Sequence, residues 1–132
     1  MNDPSHHPMP LLTAELRARL LANGHQPDID YVPVVKFFNP VGAGTWLATE
    51  LDRDGDTCFG IADLGFPELG SFSLEELSSL RLPFGMHIER DIVFVGAFPI
   101  SAYAEAARQA GSITSAIHIL SAALRATRGE GT

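Results

Sequence analysis

The chain has 132 residues, 45% of them hydrophobic and 19% charged, which suits one globular domain and excludes wholesale disorder or a second core. No apolar run approaches the roughly 20 residues that a membrane-spanning helix needs. The formal charge is −7, and a surface of that sign repels phosphate backbones, so direct nucleic-acid binding through a basic patch is not expected.

Residues 1–10 contain no Lys or Arg and no apolar core, so they read as a disordered tail broken by Pro4, Pro8 and Pro10, not as a secretory leader. The His6–His7 pair in that tail is too short to predict a metal site. Thr13 is a good N-cap for a helix over Ala14–Ala22, with Leu16, Leu20 and Leu21 on one face, Glu15 in its first turn and Asn23-Gly24 as its stop. The Val- and Phe-rich run Tyr31–Phe38 predicts a strand, with Pro33 at its start or on a sheet edge. After the Asn39-Pro40 turn, Thr45–Leu51 predicts a second strand. Its alternation sets Trp46, Ala48 and Glu50 on one face and Leu47, Thr49 and Leu51 on the other. Asp52-Arg-Asp-Gly-Asp56 is turn chemistry, so Thr57–Ala62 completes a hairpin.

Gly and Pro punctuate Asp63–Gly70, which reads as a loop. Ser73 and Glu76 have capping-box spacing and open a short helix to Leu80. Ile88–Val95 predicts a fourth strand, with Ile92 and Phe94, and Ile88 by the same alternation, pointing inward. Ser101 is placed to cap a helix ending at Ala110, Gly111 breaks it, and a last helix follows over Ile113–Arg125. The expected fold is α+β: a small antiparallel sheet of about four strands, helices packed mainly on one face, and a C-terminal helical hairpin. Residues 11–98 form the core of this domain and residues 99–132 a helical extension of it. One cysteine, Cys58, cannot form an internal disulfide and reads as a small buried hydrophobe, in keeping with a reducing cytoplasm.

Six stretches stand out in order: Leu-Leu-Thr-x-Glu-Leu-Arg (11–17), Val-Lys-Phe-Phe-x-Pro (35–40), Gly-Thr-Trp-Leu-x-Thr-Glu (44–50), Phe-Gly (59–60), Pro-Glu-Leu-Gly-x-x-Ser-Leu-x-Glu-Leu (67–77) and Ile-Glu-Arg-Asp (88–91). Together they resemble a bacterial family, domain of unknown function 2958, over Leu11 to about Phe94, and the two C-terminal helices look like an addition to it. The resemblance implies a small accessory protein of plasmids and integrative elements. It implies no activity, cofactor or catalytic residue.

Between Glu50 and Asp91 lie ten acids and three arginines, so this middle segment carries essentially the whole charge imbalance. That density is thin for a mimic of DNA. Asp52, Asp54, Asp56 and Asp63 fall at positions 1, 3, 5 and 12 of a calcium loop, but Thr57 stands where that loop needs glycine and the flanks read as strands, so a hairpin turn is expected. The polar residues inside the family stretches form the other candidate cluster: Lys36, Thr45, Trp46, Glu50, Glu68, Glu89, Arg90 and Asp91. On a strand Glu89 and Asp91 point together and Arg90 away. Converging carboxylates hold a divalent cation or act as an acid–base pair; otherwise these charges satisfy one another and fix strand ends.

Gly42-Ala-Gly44 is no dinucleotide fingerprint, the five histidines lack zinc spacing, and no serine sits in a nucleophile elbow. No cofactor is expected. The leading expectation is a non-enzymatic protein-binding module whose contact surfaces are the acidic middle segment and the two C-terminal helices, the last of them above all. That helix carries the apolar stripe Ile113, Ile117, Leu120 and Leu124, which packs either on its own core or against a partner or second copy. The alternative is a small metal-dependent or acid–base enzyme using Glu50, Glu68, Glu89 and Asp91.

Overall fold

The computed structural model describes residues 10–129; the expected N-terminal tail and its His6–His7 pair, Pro10 excepted, lie outside the described residues. Helix α1 (Ala14–Gly24) starts where Thr13 Oγ1 accepts the Leu16 N–H at 3.1 Å. Four strands follow, β1 (Val35–Phe38), β2 (Thr45–Leu51), β3 (Thr57–Asp63) and β4 (Pro67–Ser73), then helix α2 (Leu74–Ser79), the two-residue strand β5 (Glu89–Arg90), and helices α3 (Ile100–Ala110) and α4 (Ile113–Thr127). The strands pair antiparallel throughout, in the order β4-β3-β2-β1-β5. The class is α+β with a C-terminal helical pair, as expected.

Three details differ from the local reading, each for a non-local reason. Pro67–Ser73, inside the expected loop and helix start, is a strand: Pro at its first residue and Gly70 within it are tolerated because β4 pairs on one side only. The sheet therefore has five strands among the described residues. Conversely, only Glu89 and Arg90 of Ile88–Val95 stay on the sheet, because Asp91 Oδ1 accepts the Val93 N–H at 3.0 Å and turns the chain away. Ile92, expected to point inward, is exposed, while Phe94 packs 6.5 Å from the Tyr103 ring.

The helices are not gathered on one face. Leu20 of α1 and Leu74 and Leu77 of α2 pack with Val35, Phe37, Trp46 and Ala48 on one side of the sheet. Ile100, Tyr103, Ala104 and Ala107 of α3, with Ile113 and Ala116 of α4, pack with Leu47 and Ile61 on the other. Apolar residues alternate in both directions along β2, so both faces must be covered. Each large side chain so buried contributes on the order of 1.5–3 kcal/mol. Three residues of the Ile113, Ile117, Leu120 and Leu124 stripe are used in this layer: Ile113 is fully buried, and Ile117 and Leu120 pack against the same cluster, while Leu124 is half-buried.

A bulge between Ala48 and Glu50 resets β2. The buried Thr49 donates its hydroxyl to the Phe59 carbonyl at 3.2 Å, and its own carbonyl accepts from Asn23 Nδ2 at 2.9 Å. The extra residue moves Leu51 onto the Trp46 and Ala48 face and Glu50 onto the opposite one, reversing their expected sides.

Acids anchor the helix starts across long stretches of sequence. Asp56 accepts the Glu75 N–H and the Ser73 hydroxyl at α2, at 2.8 and 2.7 Å. Asp30 accepts the Ser101 N–H and hydroxyl at α3, whose N-cap position is Pro99, not the expected Ser101. Asp63 accepts the Ile113 N–H of α4 at 3.0 Å. Negative groups at these three N-termini complement the helix dipoles and satisfy donors that have no intrahelical partner.

Candidate functional site

A groove of about 630 Å³ lies at the β1–β5 edge, walled by Lys36 and Phe38 of β1 and by the stretch Gly85–Ile92. Register explains which side chains meet there. Phe38 pairs with Glu89 and Phe37 with Arg90, so Glu89 and Asp91 share the side of Lys36 and Phe38 while Arg90 turns to the face of the buried Phe37. Lys36 Nζ lies 3.3 Å from Asp91 Oδ2 and 5.8 Å from the centre of the Phe38 ring. The Asp91 N–H donates to the Lys36 carbonyl at 2.9 Å, clamping the two strands directly beneath the ion pair. Arg90 donates to the carbonyls of Pro10 and Leu11 at 2.9 and 2.8 Å, tying the N-terminal end of the described chain to β5. The buried His87 Nδ1 in the same wall meets no hydrogen-bond partner among the described residues.

The other candidate residues lie elsewhere. Trp46 is 4% exposed within the α1-side core. Thr45 pairs with Phe38 and Asp63 at the start of β2. Glu68 sits on β4, at the opposite edge of the sheet from β5, roughly 19 Å away at ordinary strand spacing. Glu50 lines a separate cleft of about 410 Å³ with His25, Pro27, Arg53, Phe59 and Ser71. Of the four carboxylates named for the enzyme reading, only Glu89 and Asp91 share a site. Among the described residues no three His, Cys, Asp or Glu side chains are grouped to hold a metal ion.

Partial burial pushes the Glu50 carboxyl above its ordinary value, the Thr49 hydroxyl pulls it back in part, and the negative Asp28 raises it further. A folded-state value above the unfolded one means that the fold binds this proton more tightly, so stability is lost as pH rises through the raised value. Glu50→Gln removes that cost. Chemical denaturation is expected to find the variant more stable than the parent at neutral pH, with the advantage vanishing below the ordinary carboxylate value of 4.5. An equal advantage at both pH values would refute burial of the charge as its cause.

The acids of the calcium-loop pattern all serve the chain itself. Asp52 Oδ1 accepts the Arg53 N–H, Asp56 holds α2, and Asp63 also accepts the Gly65 N–H. Asp54 accepts from the Thr57 N–H, the Thr57 hydroxyl and the Asp56 N–H, and these bonds hold its carboxyl below the usual range. The hairpin-turn expectation agrees with this bonding. Cys58 is fully buried, and that burial, with the charge of Asp56 nearby, pushes its thiol up to about 12. Such a thiol is a packing group, not a nucleophile.

Sequence patterns missed the structural work of Asp30 and Asp63 and the groove's buried His87 Nδ1, which has no hydrogen-bond partner among the described residues. The nearest local signal was Asp63 standing just before a Gly-rich turn, which says nothing of a helix 50 positions on.

Fold and groove define a small three-layer α+β protein with a charged, partly apolar cleft at one sheet edge. A family model for proteins of unknown function, DUF2958, matches residues 11–114, and the chain belongs to that family. The match runs through α3 into the start of α4, so α3 falls within the family's span, contrary to the expectation that both C-terminal helices lie outside it. No curated protein and no solved structure matches the chain.

Proposed function

We propose that this chain is a non-enzymatic protein-binding module, an accessory protein of the bacterial mobile-element kind that the family resemblance implies. The observation that carries the binding role is a set of exposed apolar residues at the two ends of the groove-wall stretch: Phe84, Ile92, Val93 and Val95 are 91%, 74%, 80% and 81% exposed, and Ile92 lines the groove itself. Single exposed aliphatics are ordinary, but several close in sequence and bordering a cleft mark an interaction surface. The groove supplies a charged floor beneath them, in the Lys36–Asp91 pair and Glu89. Dispersal of Glu50 and Glu68 away from Glu89 and Asp91 supports the non-enzymatic reading. We place the contact surface at the β5 edge because Ile113, Ile117 and Leu120 of the α4 stripe are already used in the sheet-side cluster.

A photo-activatable aromatic residue placed at Phe84 in the host cell tests this. A discrete adduct with a second protein is expected, and none from the same group at the exposed His118 on α4. Paired Ile92→Asp and Val93→Asp substitutions are expected to abolish the adduct and to shift stability by no more than about 0.5 kcal/mol, because both sites are solvent-exposed. Equal labelling from both positions, or an adduct that survives the paired substitution, would overturn the reading.

A further inference from the structure

At the far edge of the sheet, β4 has a strand partner only on its β3 side among the described residues. The Leu74 N–H donates to the Asp56 carbonyl at 3.0 Å, which sets the phase of the antiparallel ladder. Glu68, Gly70 and Phe72 therefore turn their backbone groups to β3, while Leu69 and Ser71 turn theirs outward. The devices that usually protect an edge are sparse here. There is no lysine, no bulge and no proline beyond the first residue, and Glu68 is the one charge in the strand.

Side chains on this edge define what it takes. Glu68, Gly70 and Phe72 share one face, giving a carboxylate, an open space and an aromatic ring in sequence. A Cβ at Gly70 would meet nothing within 4 Å, so nothing among the described residues demands glycine at that position. A glycine inside a strand is one mark of close approach by another chain. Between Pro67 and Leu80 the chain carries Glu68, Glu75 and Glu76, all exposed, and no lysine or arginine. On the opposite side, Phe59 and Leu69 are partly exposed and apolar.

We infer that the outer edge of β4 accepts an extended basic segment of a partner protein as an added strand, with a lysine or arginine lying over Gly70 between Glu68 and Phe72. Backbone pairing supplies affinity in such augmentation, and alternate side chains supply specificity. The sign of the charge selects the occupant: a second copy would bring the same acidic segment against its like, whereas a basic strand is attracted. The inference rests on the protein-binding reading but uses the other edge of the sheet, so the groove-side residues and this edge are tested apart.

The probe is a short synthetic peptide alternating lysine or arginine with valine, titrated into the isotopically labelled full chain. The Leu69 and Ser71 amides are expected to gain about tenfold protection from hydrogen exchange, and Glu68→Lys to weaken binding by about tenfold, one charge-pair's worth at a partly desolvated site. The same peptide N-methylated at alternate residues, or rebuilt with glutamate, is expected not to bind. Ser71→Pro removes an outward N–H from an edge strand, a position where proline is tolerated; the variant is expected to fold, as its circular dichroism will report, and to lose the peptide. Shifts mapping to the β5 edge, binding indifferent to N-methylation, or a concentration-dependent dimer that protects Leu69 and Ser71 without peptide would each overturn the inference. Failure of the Phe84 crosslink with success here would leave this edge standing.

Discussion

Gly60→Ala is expected to cost about 3 kcal/mol, the upper end for forcing one extra carbon into a packed interior. Gly60 lies in β3 between Ala48 of β2 and Gly70 of β4. A Cβ there would fall 1.8 Å from the Leu47 carbonyl oxygen and 2.8 Å from its carbon. Those are backbone atoms of a central strand with buried side chains on both faces, so relief requires breaking the ladder beside the Thr49 bulge. Against a total stability of roughly 5–15 kcal/mol, the loss leaves a chain that melts far earlier. Urea denaturation followed by circular dichroism measures it. Gly70→Ala is the internal control: its new carbon meets open space, so a change within about 0.5 kcal/mol is expected. Equal losses at the two cross-strand glycines would refute close backbone approach as the reason for Gly60.

Asp63→Ala is expected to destabilise the chain by about 2–4 kcal/mol, because it strands the buried Ile113 N–H and frees the β3–β4 turn, and does not merely delete a surface charge. The Asp63 carboxylate, 8% exposed, accepts the Ile113 N–H at 3.0 Å and the Gly65 N–H at 3.0 Å. One bond holds the first residue of α4 and the other closes the β3–β4 turn. Ser112 serves a different donor, the Ser115 N–H, so the local cap does not replace Asp63 at Ile113. Asp63→Asn keeps one acceptor oxygen and is expected to lose roughly half as much. Amide exchange supplies the second readout: Ile113 is expected to lose protection in the alanine variant before the centre of β2 does. A loss under about 1 kcal/mol would mean that α4 is held by the Ile113 and Ala116 contacts alone.

Much of the site was visible as residue types but not as an arrangement. Strand alternation correctly paired Glu89 with Asp91 and set Arg90 apart, because those three residues lie on one short regular stretch. The Lys36–Asp91 contact joins positions 55 apart and depends on β5 returning to the free side of β1. Glu50 shows how fragile a face assignment is: alternation held only as far as Ala48, and one bulged residue carried Glu50 to the other side. Glu68 was grouped with these acids by its place in a family stretch, and the strand order set it at the opposite edge.

What the sequence by itself determined is what neighbours along the chain decide. Thr13 starts α1 and Ser73 caps α2 through side-chain oxygens three residues from their donors, and the Asp-rich turn closes the β2–β3 hairpin with bonds confined to residues 52–57. The α+β class follows from those periods and stops. Tertiary structure alone decided the rest: the helices divide between two faces, Gly- and Pro-marked Pro67–Ser73 becomes an edge strand, and Asp30, Asp56 and Asp63 bind helix starts up to 71 positions away. The physical reason is the range of the interactions. Caps and turns are satisfied within a few residues, whereas strand pairing and the burial of a carboxylate depend on groups that only the folded chain brings within reach.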